Sequence, residues 1–248
     1  MEEMVSASTE FVKSGFNEEQ SAQLAKTAVL FQNIADSELS ASDASAYLIS
    51  QMKAFNITAE EATTIIDQTN EVSNKFAVSS TDISTALTKS SSALATYGNT
   101  MSESISLVTA GTEVMTGQAS KVSKGLRSVG ANIVKLADDS GKLEYSVNGM
   151  TKSISLFDEQ GKALSTFDVL SKVAEDWDKM TQAEQSSLAL AQAGKTQIDV
   201  YTAVLRNFGT ALEANEVAIN SNGSALKENE KYMESISAKS NLLKAPIS

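Results

Sequence analysis

Apolar residues recur in steps of three and four along most of the chain. Ala62, Ile65, Val72 and Phe76 fall on one helical face, and so do Ile83, Leu87, Leu94 and Tyr97. Ile105, Val108 and Met115 continue the pattern, followed by Val122, Leu126, Val129, Ile133 and Leu136. This spacing marks amphipathic helices with one buried stripe. Start signals accompany the stripes. Asn17 precedes Glu18, Glu19 and Gln20. Ser40 is followed three residues on by Asp43, Thr58 by Glu61, Ser79 by Asp82 and Thr100 by Glu103. In each, a short polar side chain covers free amides of the first turn, and an acid sits on the positive end of the helix. The five signals predict a series of short helices, and a chain with one Pro leaves them uninterrupted.

A weak repeat runs through the same region. Gly15-Phe16-Asn17 resembles Ala54-Phe55-Asn56, which resembles Thr96-Tyr97-Gly98-Asn99, with the aromatics 39 and 42 residues apart. Two helices per unit at that interval predict stacked helical hairpins.

The helical spacing then stops. Leu143 to Val147 lead into Asn148-Gly149, a strong two-residue hairpin signal. Lys152 to Phe157 alternate polar and apolar, and Asp158-Glu159-Gln160-Gly161 forms a second turn signal. Helical spacing resumes with Phe167, Leu170, Val173 and Trp177, then Ile198, Tyr201, Val204, Leu205 and Phe208. A last helix is expected from near Ser224, carrying Met233, Ile236 and Leu243. The expected fold is mainly α: short helical hairpins in series with a small β-meander near 143–165. The chain divides into a helical-hairpin region over 1–140, the β element over 141–166 and a C-terminal helical region over 167–248. Asn241-Leu242-Leu243-Lys244-Ala245-Pro246 reads as a helix cut near a linker, so a fragment of a longer protein is expected.

Composition narrows the chemistry. The 248 residues include no Cys and no His, which excludes disulfides, thiolate nucleophiles, Ser-His-Asp machinery and imidazole metal ligands. A net charge of -11 argues against a nucleic-acid binder. Hydrophobic residues make up 42%, enough for a core, while the 6% of aromatics fits slim helices in close approach. No run reaches the ~18 apolar residues of a membrane-spanning helix. Charge is uneven. Residues 1–61 carry ten acids and three Lys, whereas Val114 to Ala137 hold no acid but Lys121, Lys124, Arg127 and Lys135. That basic helix reads either as a DNA or membrane contact or, more simply, as a solvated helix whose Lys stems cover the apolar stripe.

Few residues invite a catalytic reading. Ala189 to Thr196, ending Gly194-Lys195-Thr196, fits a relaxed phosphate-loop string. A working loop needs a preceding strand, and Glu184 to Leu190 read as helix, so Gly194 is expected to break a helix instead. Glu60-Glu61, Asp138-Asp139 and the pair Asp176 and Asp178 show no sign of converging from separate elements, as two-carboxylate chemistry requires. Asp138-Asp139-Ser140-Gly141 reads as a helix exit, and Trp177 as core. No catalytic, cofactor-binding or metal-binding residue is assigned, and the chain is read as not an enzyme.

The order of landmarks in the second half carries a resemblance. Ser155 to Gly161 is followed by Phe167-Asp168-Val169-Leu170-Ser171-Lys172-Val173-Ala174-Glu175-Asp176-Trp177, then Ala193-Gly194-Lys195-Thr196-Gln197. Leu205-Arg206-Asn207-Phe208, Ser221-Asn222-Gly223-Ser224-Ala225 and Glu228-Asn229-Glu230 complete the series. With Phe55 and Gly125-Leu126-Arg127 ahead of the β element, this resembles the core region of phage tail tape measure proteins, found in long-tailed phages and prophages. The resemblance covers about residues 15 to 244 and implies a structural tail protein. Several copies would lie in the lumen of the tail tube, set tail length, template tube assembly and leave during DNA ejection. The implied partners are the tail tube protein, tail assembly chaperones, tail tip or baseplate proteins and other copies of the chain. Host membrane contact is implied for parts outside this sequence, and no sequence-specific nucleic-acid binding. The implied location is the virion, with assembly in the host cytoplasm. The competing reading is a bacterial adhesin-type or coiled-coil binding module. An unbroken heptad would favour it, and the short helices broken by a β element count against it.

Overall fold

In a computed structural model, which describes residues 2–244, most of the start signals become helix caps. α1 (Glu2–Lys13) leads through Gly15 to α2 (Glu18–Ile34), where Asn17 and Gln20 form a reciprocal capping box. Ser40 accepts the amide of Asp43 to open α3 (Ala41–Phe55). α4 (Thr63–Lys75) follows, then α5 (Ser80–Thr96), opened by Ser79, and α6 (Met101–Val114), opened by a capping box between Thr100 and Glu103. α7 (Ala119–Asp139) ends at Ser140 and Gly141, as expected of a helix exit. Thr58 behaves differently from the expectation. Its amide and hydroxyl donate to Glu61, but the residues between them form tight turns closed by bonds to the third residue on, and α4 starts only at Thr63.

The repeat is sharper in the structure than in the sequence. α3, α5 and α7 begin at Ala41, Ser80 and Ala119, each 39 residues after the last. Burial follows the same register. Ala41, Ala44, Ser45, Tyr47, Leu48, Gln51 and Met52 are buried on α3. Shifting each by one interval gives Ser80, Ile83, Ser84, Ala86, Leu87, Ser90 and Ser91 on α5, and then Ala119, Val122, Ser123, Gly125, Leu126, Val129 and Gly130 on α7, all buried. The pattern survives because it specifies position rather than residue type: Tyr47, Ala86 and Gly125 occupy one site in three units. Of the aromatics of the weak repeat, Phe16 and Phe55 keep the 39-residue interval, whereas Tyr97 lies three residues past it, as the C-cap of α5.

The odd helices pack in a row, α1 on α3, α3 on α5 and α5 on α7, while α2, α4 and α6 form a second row. The β-hairpin, β1 (Lys142–Val147) and β2 (Met150–Ser155), interrupts the series, and a single bridge joins Phe157 to Ala163 beyond it. Asn148 and Gly149, with φ of 50° and 77°, make the turn. β1 buries Leu143, Tyr145 and Val147, whereas β2 is largely exposed. Four helices follow: α8 (Thr166–Trp177), α9 (Gln182–Ala193), α10 (Ile198–Arg206) and α11 (Phe208–Ile219). α8 and α9 begin with capping boxes, Ser165 with Asp168 and Thr181 with Glu184, that extend the series of start signals. α11 packs on α4 and α6, so α6 has neighbours on both sides. Its buried Ser104, Ser106 and Thr109 therefore donate back to carbonyls of their own helix.

α12 (Ser224–Lys244) starts where expected and packs on α2 and α4. Its expected apolar stripe is not a buried one. Met233 is 53% exposed and Ile236 43%, because this part of the helix lies against little of the core. The side chain of Leu243, together with Ala245 and Pro246, lies outside the described residues.

Candidate functional site

The hairpin is fixed to the helices by two carboxylates. Glu184, third residue of α9, accepts the amide and hydroxyl of its cap Thr181. It also accepts the hydroxyl of Ser146 at 2.9 Å, the amide of Asn148 at 3.1 Å and that of Gly149 at 2.8 Å. The Gly149 amide, then that of Thr181, pulls this carboxyl down from 4.5 to about 2. Asp176 on α8 takes Lys152 of β2 on both oxygens at 2.7 Å, Lys179 at 3.0 Å and the hydroxyl of Tyr145 at 3.1 Å. The Lys152 contact is the main reason that the Asp176 carboxyl falls from 3.8 to about 2. Burial pushes the Tyr145 phenol up, and its bond to Asp176 adds to that.

A third cluster joins α4 to the start of α12. Asp67 on α4 is 3% exposed and accepts the amides of Gly223 at 3.0 Å and Ala225 at 2.9 Å. Asn70 donates to the hydroxyl of Ser224, which donates to Glu71. α4 thus supplies the cap that α12 lacks in its own sequence.

Three helical glycines allow close approach between elements. A Cβ on Gly111 would lie 2.7 Å from Val122, one on Gly125 2.5 Å from Val200 and one on Gly130 2.2 Å from the ring of Tyr97. The residues singled out for possible chemistry are not brought together. Gly194 ends α9 with φ 71°, so Lys195 and Thr196 follow a helix, not a strand. Glu61 holds Thr58, and Glu60 is exposed. Asp138 and Asp139 are exposed at the end of α7, and Asp178 is exposed while Asp176 is buried under Lys152. Trp177 is 1% exposed and stacks edge-on against Tyr201 at 6.0 Å. On the basic face of α7, Lys121 pairs with Asp199, while Lys124, Arg127 and Lys135 are exposed.

Asp67 and Lys152 gave no signal in the sequence, since their partners lie far away in the chain. Glu184 did carry one, the Thr181-Gln182-Ala183-Glu184 box, but its grip on the hairpin turn depends on tertiary placement. Every carboxylate in these three clusters is occupied by donors of the chain itself, so the arrangement joins elements together. An apolar groove stays open between α1 and α2, lined by Met4, Val5, Val12, Ala22 and Ala25.

The sequence model of a family described as phage-related minor tail protein matches residues 1–194, from the first hairpin through α9. No solved structure matches the chain. With more than half of its length matched, the chain belongs to the phage-related minor tail protein family.

Proposed function

We propose that this tail protein is a tape measure, a non-enzymatic component that sets tail length from the lumen of the tail tube. The observation that carries the reading is the constant 39-residue interval from α3 through α5 to α7, in helix start and in burial. A chain made of equal helical units gains or loses length in equal steps, which is what a ruler requires. The unit interfaces support it. About half of the buried positions on α3, α5 and α7 are Ala, Ser or Gly, which reduces the apolar area that each unit gives up on separating from its neighbour. In the tube the helices run extended, and the stacked form belongs to the chain before the tube closes around it.

The partners in this reading are the tube protein, assembly chaperones, the tail tip and further copies of the chain. The open groove between α1 and α2 is an apolar surface of the kind that marks protein contacts. Protease protection tests the location. Inside intact tails the chain should resist a protease that digests the isolated protein, and it should become sensitive once DNA has been ejected. Digestion in intact tails would exclude the lumen.

A further inference from the structure

Asparagine is followed by glycine twice in the chain, at Asn148-Gly149 and Asn222-Gly223. Glycine has no Cβ to hinder its own amide nitrogen, so this dipeptide is the one most prone to intramolecular attack. Hydroxide takes the amide proton, and the nitrogen then attacks Cγ of the preceding asparagine. A C–N bond forms, ammonia leaves and a five-membered succinimide closes. Water opens the ring at either carbonyl and yields aspartate or isoaspartate. One water is consumed and one ammonia released. Both asparagines are exposed, so water reaches either ring.

The two glycine amides are engaged alike. Gly149 N–H donates to Glu184 at 2.8 Å, and Gly223 N–H donates to Asp67 at 3.0 Å. The carboxylates come from unrelated elements, the first turn of α9 and the middle of α4. Each also holds a second amide of its turn, that of Asn148 for Glu184 and that of Ala225 for Asp67. Both glycines are left-handed, with φ of 77° and 79°, and the paired bonds fix that conformation. Loss of the amide proton in this geometry would set a second negative charge directly against a carboxylate. The charge-assisted bond must also break before the nitrogen can swing toward Cγ.

We propose that Glu184 and Asp67 guard Asn148-Gly149 and Asn222-Gly223 against succinimide formation, making the two asparagines latent deamidation sites. The inference stands on hydrogen bonds of the folded chain and is independent of the tape measure reading. Its consequence is chemical durability: the folded chain ages slowly at both turns, and a chain whose turns are opened does not.

The test is peptide mapping by mass spectrometry during incubation of the full chain at neutral pH. Wild type should deamidate at both sites far more slowly than short synthetic peptides of the same sequence. A reaction that proceeds through local opening scales with the open population. Glu184→Gln should therefore speed Asn148 roughly tenfold and leave Asn222 unchanged. Asp67→Asn should do the reverse. Wild-type rates equal to the peptides would overturn the proposal, as would variants with unchanged rates. A variant that speeds both sites together has opened the whole fold and contradicts a local guard. Circular dichroism of each variant and the wild-type comparison keep these outcomes distinct.

Discussion

Asp67 caps Ala225: its buried carboxylate accepts that amide at 2.9 Å, across 158 residues of chain. The first turn of α12 is therefore completed by α4. Asp67→Ala removes two charge-assisted bonds at once and leaves two amides without partners. It should lower stability by about 2–3 kcal/mol, read as a shift in urea midpoint. Ser224→Ala, which removes one neutral member of the same cluster, should cost about 1 kcal/mol. Equal effects of the two substitutions would show that the charge of Asp67 is not what matters.

The close glycines make a second prediction. A Cβ on Gly125 would lie within 2.8 Å of three side-chain atoms of Val200. Gly125→Ala should destabilise by about 1–3 kcal/mol, the usual range for overpacking. Combining it with Val200→Ala should cost less than the sum of the two, because the second change makes room for the first. Gly209, near the start of α11, has nothing within 4 Å of such a Cβ. Gly209→Ala should therefore be neutral or stabilise by up to about 1 kcal/mol.

Acid should loosen the hairpin. The carboxyls of Asp176 and Glu184 titrate at about 2 in the folded chain, below their ordinary 3.8 and 4.5. A depressed carboxyl gives its full stabilisation above the unfolded value and loses it as pH falls through the folded one. Stability should therefore decline between about pH 4.5 and about pH 2, followed by circular dichroism. Lys152→Met removes the main cause of the Asp176 shift. It should raise the pH at which the hairpin loosens, and an unchanged acid transition would contradict the assignment.

Much of this fold was legible in the sequence because its signals are local. Caps at Ser40, Ser79 and Thr100 need only the next three residues, and Asn148-Gly149 makes its own turn. The stripes of α5 and α7 were legible for the same reason, since a helix sorts its faces without knowing its neighbours. The repeat was visible only faintly, through Phe16, Phe55 and Tyr97. Its true register lies in burial, where Tyr47, Ala86 and Gly125 share a site that no residue identity reveals. Thr58 misled because the same cap chemistry serves a tight turn as well as a helix. Met233 and Ile236 misled because helical spacing does not say whether a partner lies opposite. The clusters on Asp67, Asp176 and Glu184 join residues far apart in the chain, so no window along the sequence contains them.

Tail length measured by electron microscopy tests the central claim most directly. Deleting residues 80–118 removes one 39-residue unit and leaves Ser79 beside Ala119, so a helix cap is retained at the junction. At ~1.5 Å per helical residue, tails should shorten by about 60 Å, and duplicating the unit should lengthen them by the same amount. Assembled tails of unchanged length in both variants would contradict a ruler made of these helices.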